Sequence, residues 1–261
     1  NSILKDNNLS VIKHSKEYEL NKSYSTPTNR IITSLYSKKR FLFILKYALV
    51  YVHKTNEDGK PTIEKHIMRY PQIFATKAIA QKIKEGNKRG IIWHTQGSGK
   101  TALAYYNVKH LQDYFQKENT IPKFYFIVDR LDLLKQAKTE FINRGLSVNI
   151  VNSKQEFVSD IKKASALHNS SGNNEITVVN IQKFSEESSS EAINDYDINI
   201  QRVYFLDEVH RSYNPKGSFL ANLINSDKNA IIIGLTGTPL ITKNLRSEEH
   251  TSELQSPIYI S

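Results

Sequence analysis

The residues best equipped for chemistry form one short run, Trp93-His94-Thr95-Gln96-Gly97-Ser98-Gly99-Lys100-Thr101. Its glycines let backbone N–H groups close on an anion, and the lysine and threonine that come after them add an ammonium and a hydroxyl. That is the chemistry of a nucleoside triphosphate site. Thr95, Gln96, Gly97, Ser98 and Gly99 would cradle phosphate, Lys100 would reach the β- and γ-phosphates, and the Thr101 hydroxyl would hold Mg²⁺. His94 stands where the general pattern has its first glycine. A second run, Val203-Tyr204-Phe205-Leu206-Asp207-Glu208-Val209-His210, places two carboxylates at the end of an apolar stretch. Asp207 is the candidate second anchor for Mg²⁺, and Glu208 the candidate group that orients and polarises an attacking water. Lys100, Asp207 and Glu208 are thus the expected catalytic residues.

A phosphate loop works only between a strand that delivers it and a helix whose N-terminus faces the anion. The sequence predicts both, a strand over 90–94 and a helix from about 101. Further apolar runs predict strands over 123–128, 148–151, 176–181, 203–206 and 230–235. Amphipathic stretches predict helices over 131–143, 154–166 and 218–224. Alternating strands and helices with β-branched strands argue for a parallel sheet covered on both faces, an α/β fold. The stretch 56–61, Asn-Glu-Asp-Gly-Lys-Pro, reads as a turn between two elements, and 169–174 and 185–191 read as polar loops. The apolar run 41–52, interrupted by Lys46, reads as a buried helix. It is too short for a bilayer, which needs about 20 residues.

The whole composition fits a folded domain with an anionic partner. Of 261 residues, 39% are hydrophobic, the net charge is +10, and no cysteine is present, which excludes disulfides and thiolate metal sites. Residues 1–70 carry 13 Lys/Arg against 6 Asp/Glu. Such a balance favours nucleic acid, and no membrane partner is expected. The chain opens on Asn1, with no signal peptide, and its natural start is expected to lie upstream.

Asp-Glu-x-His beside this phosphate loop resembles superfamily 2 helicases and translocases. The finer text resembles the motor subunits of type I restriction enzymes. It includes Trp93 to Thr101, Asp207-Glu208-Val209-His210-Arg211-Ser212 and Gly234-Leu235-Thr236-Gly237-Thr238-Pro239-Leu240. Val128-Asp129-Arg130-Leu131-Asp132-Leu133 with Gln136, Ile181-Gln182-Lys183-Phe184 and Arg69-Tyr70-Pro71-Gln72 complete the co-linear series. The family pattern has His where this chain has Pro71, and Ala where it has Val209.

The resemblance implies a RecA-like P-loop NTPase lobe, the first motor lobe only, using ATP and Mg²⁺. By position, Gln72 is implied to read adenine, and His210 to link the nucleotide state to the DNA side. Thr236, Gly237 and Thr238 are implied to couple ATP to DNA. Asp129, Arg130, Gln182 and Lys183 lie in segments implied to track DNA. The parent function implied is ATP-driven translocation of double-stranded DNA coupled to endonuclease cleavage. Specificity and methylase subunits would be its partners, in a bacterial or archaeal cytoplasm.

The expected division is a basic linker region over 1–70, joining an upstream nuclease domain to the motor, and an ATP-binding lobe over 71–245. Residues 246–261 are expected to be an artefactual tail. The run Arg246-Ser247-Glu248-Glu249-His250-Thr251-Ser252-Glu253-Leu254-Gln255-Ser256 matches the translation of a common sequencing-library adapter. The piece by itself is expected to bind ATP with negligible hydrolysis, since arginine fingers would come from a second lobe. The rival readings are another superfamily 2 ATPase such as a type III restriction subunit, a non-catalytic basic DNA-binding module, and a P-loop kinase.

Overall fold

The computed structural model describes residues 38–95, 97–163, 172–181, 200–207, 227 and 229–237. Helix α1 (Lys38–Phe43) runs into a π turn (Ile44–Ala48), then strand β1 (Leu49–Thr55) pairs antiparallel with β2 (Pro61–Ile67). Helix α2 (Tyr70–Lys84) leads to β3 (Arg89–Trp93), α3 (Lys100–Lys117), β4 (Ile121–Val128) and α4 (Leu131–Asn143). Next come β5 (Ser147–Val151), α5 (Lys154–Lys162), β6 (Glu175–Asn180), β7 (Ile200–Asp207) and β8 (Ile231–Thr236). Among the described residues no helix is long and apolar enough to cross a membrane.

Strands β3 to β8 form one six-stranded sheet in the order β3-β8-β7-β4-β6-β5, and every pairing is parallel. The α/β fold read from the alternation of elements is therefore the fold observed. Side chains alternate along each strand and so feed two cores. Phe124, Phe126 and Val128 of β4 face α3 and α4, meeting Leu103, Leu111, Leu134 and Phe141. Tyr125 and Ile127 face the other way, toward Phe157 and Ile161 of α5. This two-sided burial explains why the central strands are nearly continuous apolar runs. Each fully buried Phe or Leu contributes about 2 kcal/mol.

The apolar run 41–52 does not form the single buried helix expected from its hydrophobicity. It divides into α1, the π turn and β1, and Leu42 and Leu45 are about half exposed. The reason is local chemistry. Val50-Tyr51-Val52 is a β-branched and aromatic run, and the turn at 56–60 lets it pair with residues 61–67. Val50 and Val52 on the inner face of this hairpin join the same core as α3 and α4, while Tyr51, Ile63 and Ile67 stay exposed.

At the N-terminal rim of the sheet two charged pairs are buried. Lys123 Nζ lies 3.2 Å from Asp160 Oδ2 and donates to the Asp160 carbonyl at 2.7 Å, while the Tyr125 hydroxyl donates to the same carboxylate at 2.9 Å. Arg202 pairs with Asp227 at 3.5 Å. Burial holds the Lys123 ammonium below its ordinary pKa and pushes the Asp227 carboxyl above its own.

Candidate functional site

The opposite rim carries the residues expected to do chemistry. In a parallel sheet the carboxyl ends of the strands open onto the helix N-termini, and ligands bind there. Strand β3 ends at Trp93 and releases the phosphate loop, and α3 begins at Lys100. Gly97 and Gly99 both take positive φ, 78° and 80°, a conformation that residues bearing a Cβ rarely adopt. The Ser98 N–H donates to the Thr95 carbonyl at 3.1 Å, closing the loop. The N-terminus of α3 thus lies at the edge of the space above.

That space is a cavity of about 750 Å³. Gly97, Ser98, Gly99, Lys100 and Thr101 line it on one side, and Asp207, the last residue of β7, lines it on another. Gly237, just past β8, and Asp129 and Arg130, just past β4, also reach it, as does Gln72 of α2. Residues far apart in sequence therefore meet at one rim because their strands end there. Thr95 is exposed and Thr236 is buried, and neither is in the cavity wall. Gln96, Gln182, Lys183, Glu208, His210 and Thr238 lie outside the described residues, as do the helix expected over 218–224 and the tail 246–261.

The wall suits a triphosphate with its magnesium. The volume falls within the usual range for small-molecule sites, roughly 300–1,000 Å³. One side offers an ammonium, a hydroxyl and a glycine cradle, and the other a carboxylate at a strand end. Ser98 Oγ and Asp129 Oδ1 are buried polar atoms with no hydrogen-bond partner among the described residues, which a bound polar group would satisfy. His94, buried where the loop begins, has its pKa lowered by burial and then by the Lys100 charge.

Two further links hold the rim together. The His94 N–H donates to the Thr236 carbonyl at 3.0 Å, and the Trp93 indole donates to the Gly237 carbonyl at 3.0 Å. Gln72 is fixed at both ends of its amide. Its Oε1 accepts from the Arg69 N–H at 2.9 Å, and its Nε2 donates to the carbonyls of Gly99 at 3.1 Å and Ser98 at 3.4 Å.

Part of the wall was not expected from the sequence. Tyr106 of α3 and Glu140 and Arg144 at the far end of α4 also line the cavity, and Glu140 and Arg144 form an ion pair. A signal for them exists. Gln136, Glu140 and Arg144 recur every four residues, which places them on one helical face, and Gln136 belongs to the motif text that begins at Val128.

Comparison with known proteins bears on the family and the fold. Residues 65–241 match the model of the family described as "Type III restriction enzyme, res subunit". A type I restriction enzyme endonuclease subunit of Staphylococcus saprophyticus is 32% identical over 181 residues, covering 68% of this chain and 18% of that protein. A putative type I restriction enzyme endonuclease subunit of Methanocaldococcus jannaschii is 29% identical over 248 residues, covering 88% of this chain and 23% of its own length. The chain thus spans only 18% and 23% of these relatives. Among solved structures, an ATP-dependent type ISP restriction-modification enzyme bound to DNA superposes with a TM-score of 0.51 at 17% identity. The match covers 78% of this chain and 16% of that one, a likeness of fold alone.

Proposed function

This chain belongs to the type III restriction enzyme res-subunit family, helicase-like subunits of restriction enzymes, and on that premise we propose that its rim cavity binds ATP with Mg²⁺. The observation that carries the reading is the meeting of Lys100 and Thr101 with Asp207 around one cavity. Lys100 grips the outer phosphates, and Thr101 and Asp207 hold the cation. Bound there, magnesium neutralises the charge that develops on the phosphates. Glu208, next in sequence to Asp207, orients the attacking water. Gly237, with Thr236 and Thr238, couples this site to DNA. The segments at Asp129-Arg130 and Gln182-Lys183 track DNA, largely through its phosphates.

The parent protein is, in this reading, an ATP-dependent translocase and endonuclease subunit of a type I restriction system, acting on double-stranded DNA. Its companions are specificity and methylase subunits, in a bacterial or archaeal cytoplasm. The relatives in Staphylococcus saprophyticus and Methanocaldococcus jannaschii favour type I, whereas the description of the matching family favours a type III reading. Neighbouring genes for separate specificity and methylase subunits decide between them. The region 1–70 serves as the basic segment ahead of the motor, residues 71–245 form the lobe, and residues 246–261 are a cloning or assembly artefact in this reading.

The direct test is nucleotide binding. Lys100→Ala is expected to weaken ATP binding at least about tenfold, with the fold intact. Equal affinity in the parent and the variant would leave a basic binding module as the better account.

A further inference from the structure

We infer that the outer face built by α1, the π turn, α2 and α3 is a second contact surface for duplex DNA, with Lys46, Lys77, Lys109 and Lys117 set against its phosphates. The inference rests on the proposed reading of DNA as the partner. It adds a surface outside the rim cavity, since none of the four lysines lines that cavity.

The four come from three elements and converge on one aromatic cluster. Lys46 belongs to the π turn, Lys77 to α2, and Lys109 and Lys117 to α3. The His110 ring packs 4.6 Å from Tyr47 and 5.4 Å from Phe43, centroid to centroid. The Lys46 ammonium lies 5.1 Å from the Tyr47 ring centre, and the Lys77 ammonium 5.5 Å from that of Phe43. A ring face attracts a cation and holds it. Two of the charged heads are thus placed in advance, which limits the ordering a partner must impose.

Like charges gathered in this way repel one another and oppose the folded state, so the face favours an anionic partner. Asp113 is the acid whose charge acts on His110 and Lys109. It is engaged by Lys46 in an ion pair and by the Tyr47 hydroxyl, which donates to it at 2.9 Å. Lys109 and Lys117 form no ion pair among the described residues. The crowding reaches the groups beneath. Burial lowers the Lys109 pKa, with Asp113 opposing and Lys46 reinforcing the shift. Lys38, Lys39 and Arg40 on α1 extend the same sign.

The spread of the lysines suits a long polyanion. Lys109 and Lys117 stand about 12 Å apart along the α3 axis. Duplex DNA presents a phosphate about every 3.4 Å of axis on each strand, so one run of phosphates can meet both. A single small anion cannot. His110 lies roughly 15 Å along α3 from Lys100, which sets this face apart from the phosphate loop at the rim.

The test titrates a short duplex of arbitrary sequence into the full chain over a series of salt concentrations. It compares the parent with Lys109→Gln/Lys117→Gln and with Lys162→Gln/Lys163→Gln. The second pair removes the same charge at the end of α5, on the other side of the sheet. Thermal unfolding of the same samples reports folding. Each lysine that meets a phosphate adds about one to the slope of log affinity against log salt. The α3 pair should therefore reduce the slope by about two and the affinity by about tenfold, while the α5 pair keeps the parent's slope. If the α3 pair does not fold, Lys117→Gln alone, at an exposed position, should reduce the slope by about one. An unchanged slope in the α3 variant would overturn the inference. So would an equal fall in both variants, the mark of net charge alone. A loss confined to vesicles of anionic lipid, with duplex binding intact, would assign the face to a membrane instead. A parent chain that binds no duplex removes the proposed DNA reading itself, a result distinct from a parent that binds duplex as tightly as its α3 variant does.

Discussion

The Trp93 indole donates to the Gly237 carbonyl across 3.0 Å, so the strand that enters the phosphate loop is pinned to the segment that leaves β8. The backbone bond from the His94 N–H to the Thr236 carbonyl runs beside it. Trp93→Phe keeps most of the ring and removes the donor. It should lower stability by about 1 kcal/mol, read as a shift in the urea midpoint with unchanged slope. An unchanged midpoint would show that the Gly237 carbonyl finds water instead.

Glycine substitutions should separate backbone strain from crowding. Gly86 and Gly99 share a positive φ, but a Cβ at 86 meets nothing within 4 Å while one at 99 meets Gln72. Gly86→Ala should cost about 1 kcal/mol from strain alone. Gly99→Ala should cost more and should also weaken ATP binding. Equal losses of stability in the two variants would mean that the Gln72 amide moves aside freely.

A pH effect is expected from His110. It packs edge-on against Tyr47 and Phe43, and burial pulls its pKa down from 6.5 to about 4, with Lys117, Lys46 and Lys77 adding to the shift and Asp113 opposing it. The unfolded chain therefore takes up this proton before the folded one does. Stability should fall as pH drops from about 6.5 toward 4, through this group. His110→Phe keeps the aromatic packing and should flatten that part of the curve in chemical denaturation at stepped pH. Parallel curves for parent and variant would contradict the assignment.

Breaking the buried pair at the far rim should be costly. Lys123→Met leaves the Asp160 carboxylate buried with the Tyr125 hydroxyl still donating to it, at a cost of about 3 kcal/mol. Lys123→Met with Asp160→Leu should recover much of that loss, because no charge is then left stranded. Additive losses in the double variant would show that the two side chains act separately. Nucleotide affinity should stay near the parent value in both, since these residues lie at the other end of the strands.

Much of this architecture is legible in the chain because the signals are redundant. The amphipathic stretch 131–143 is α4, and the strands expected over 123–128 and 148–151 appear as β4 and β5 with slightly longer ends. Burial on both faces makes such strands apolar throughout, and the phosphate-loop spacing demands a helix directly after β3. The hairpin is harder to see. Strand β2 is polar and mostly exposed, Pro-Thr-Ile-Glu-Lys-His-Ile, so it offers no apolar stripe to read. It exists because β1 pairs with it across the full length. That partner also pulls residues 49–52 out of the helix their hydrophobicity implies. At the site, the phosphate loop and Asp207 announce themselves by residue type and context. The four-residue spacing of Gln136, Glu140 and Arg144 puts them on one helical face, but the turn of that face into the cavity depends on how α4 lies along α3.

Among the described residues, strand β3 sits at the margin of the six-stranded sheet and is hydrogen-bonded to β8 alone. The candidate phosphate loop therefore hangs from an edge strand, whereas Asp207 ends a strand flanked on both sides. Breathing of the sheet should begin at that margin, with the amide protons of β3 exchanging ahead of those in β7. Such an opening would loosen the loop after β3 while the wall formed by Asp207 stays folded. A ligand that bridges the cavity would in turn act as a clasp, slowing exchange most along β3.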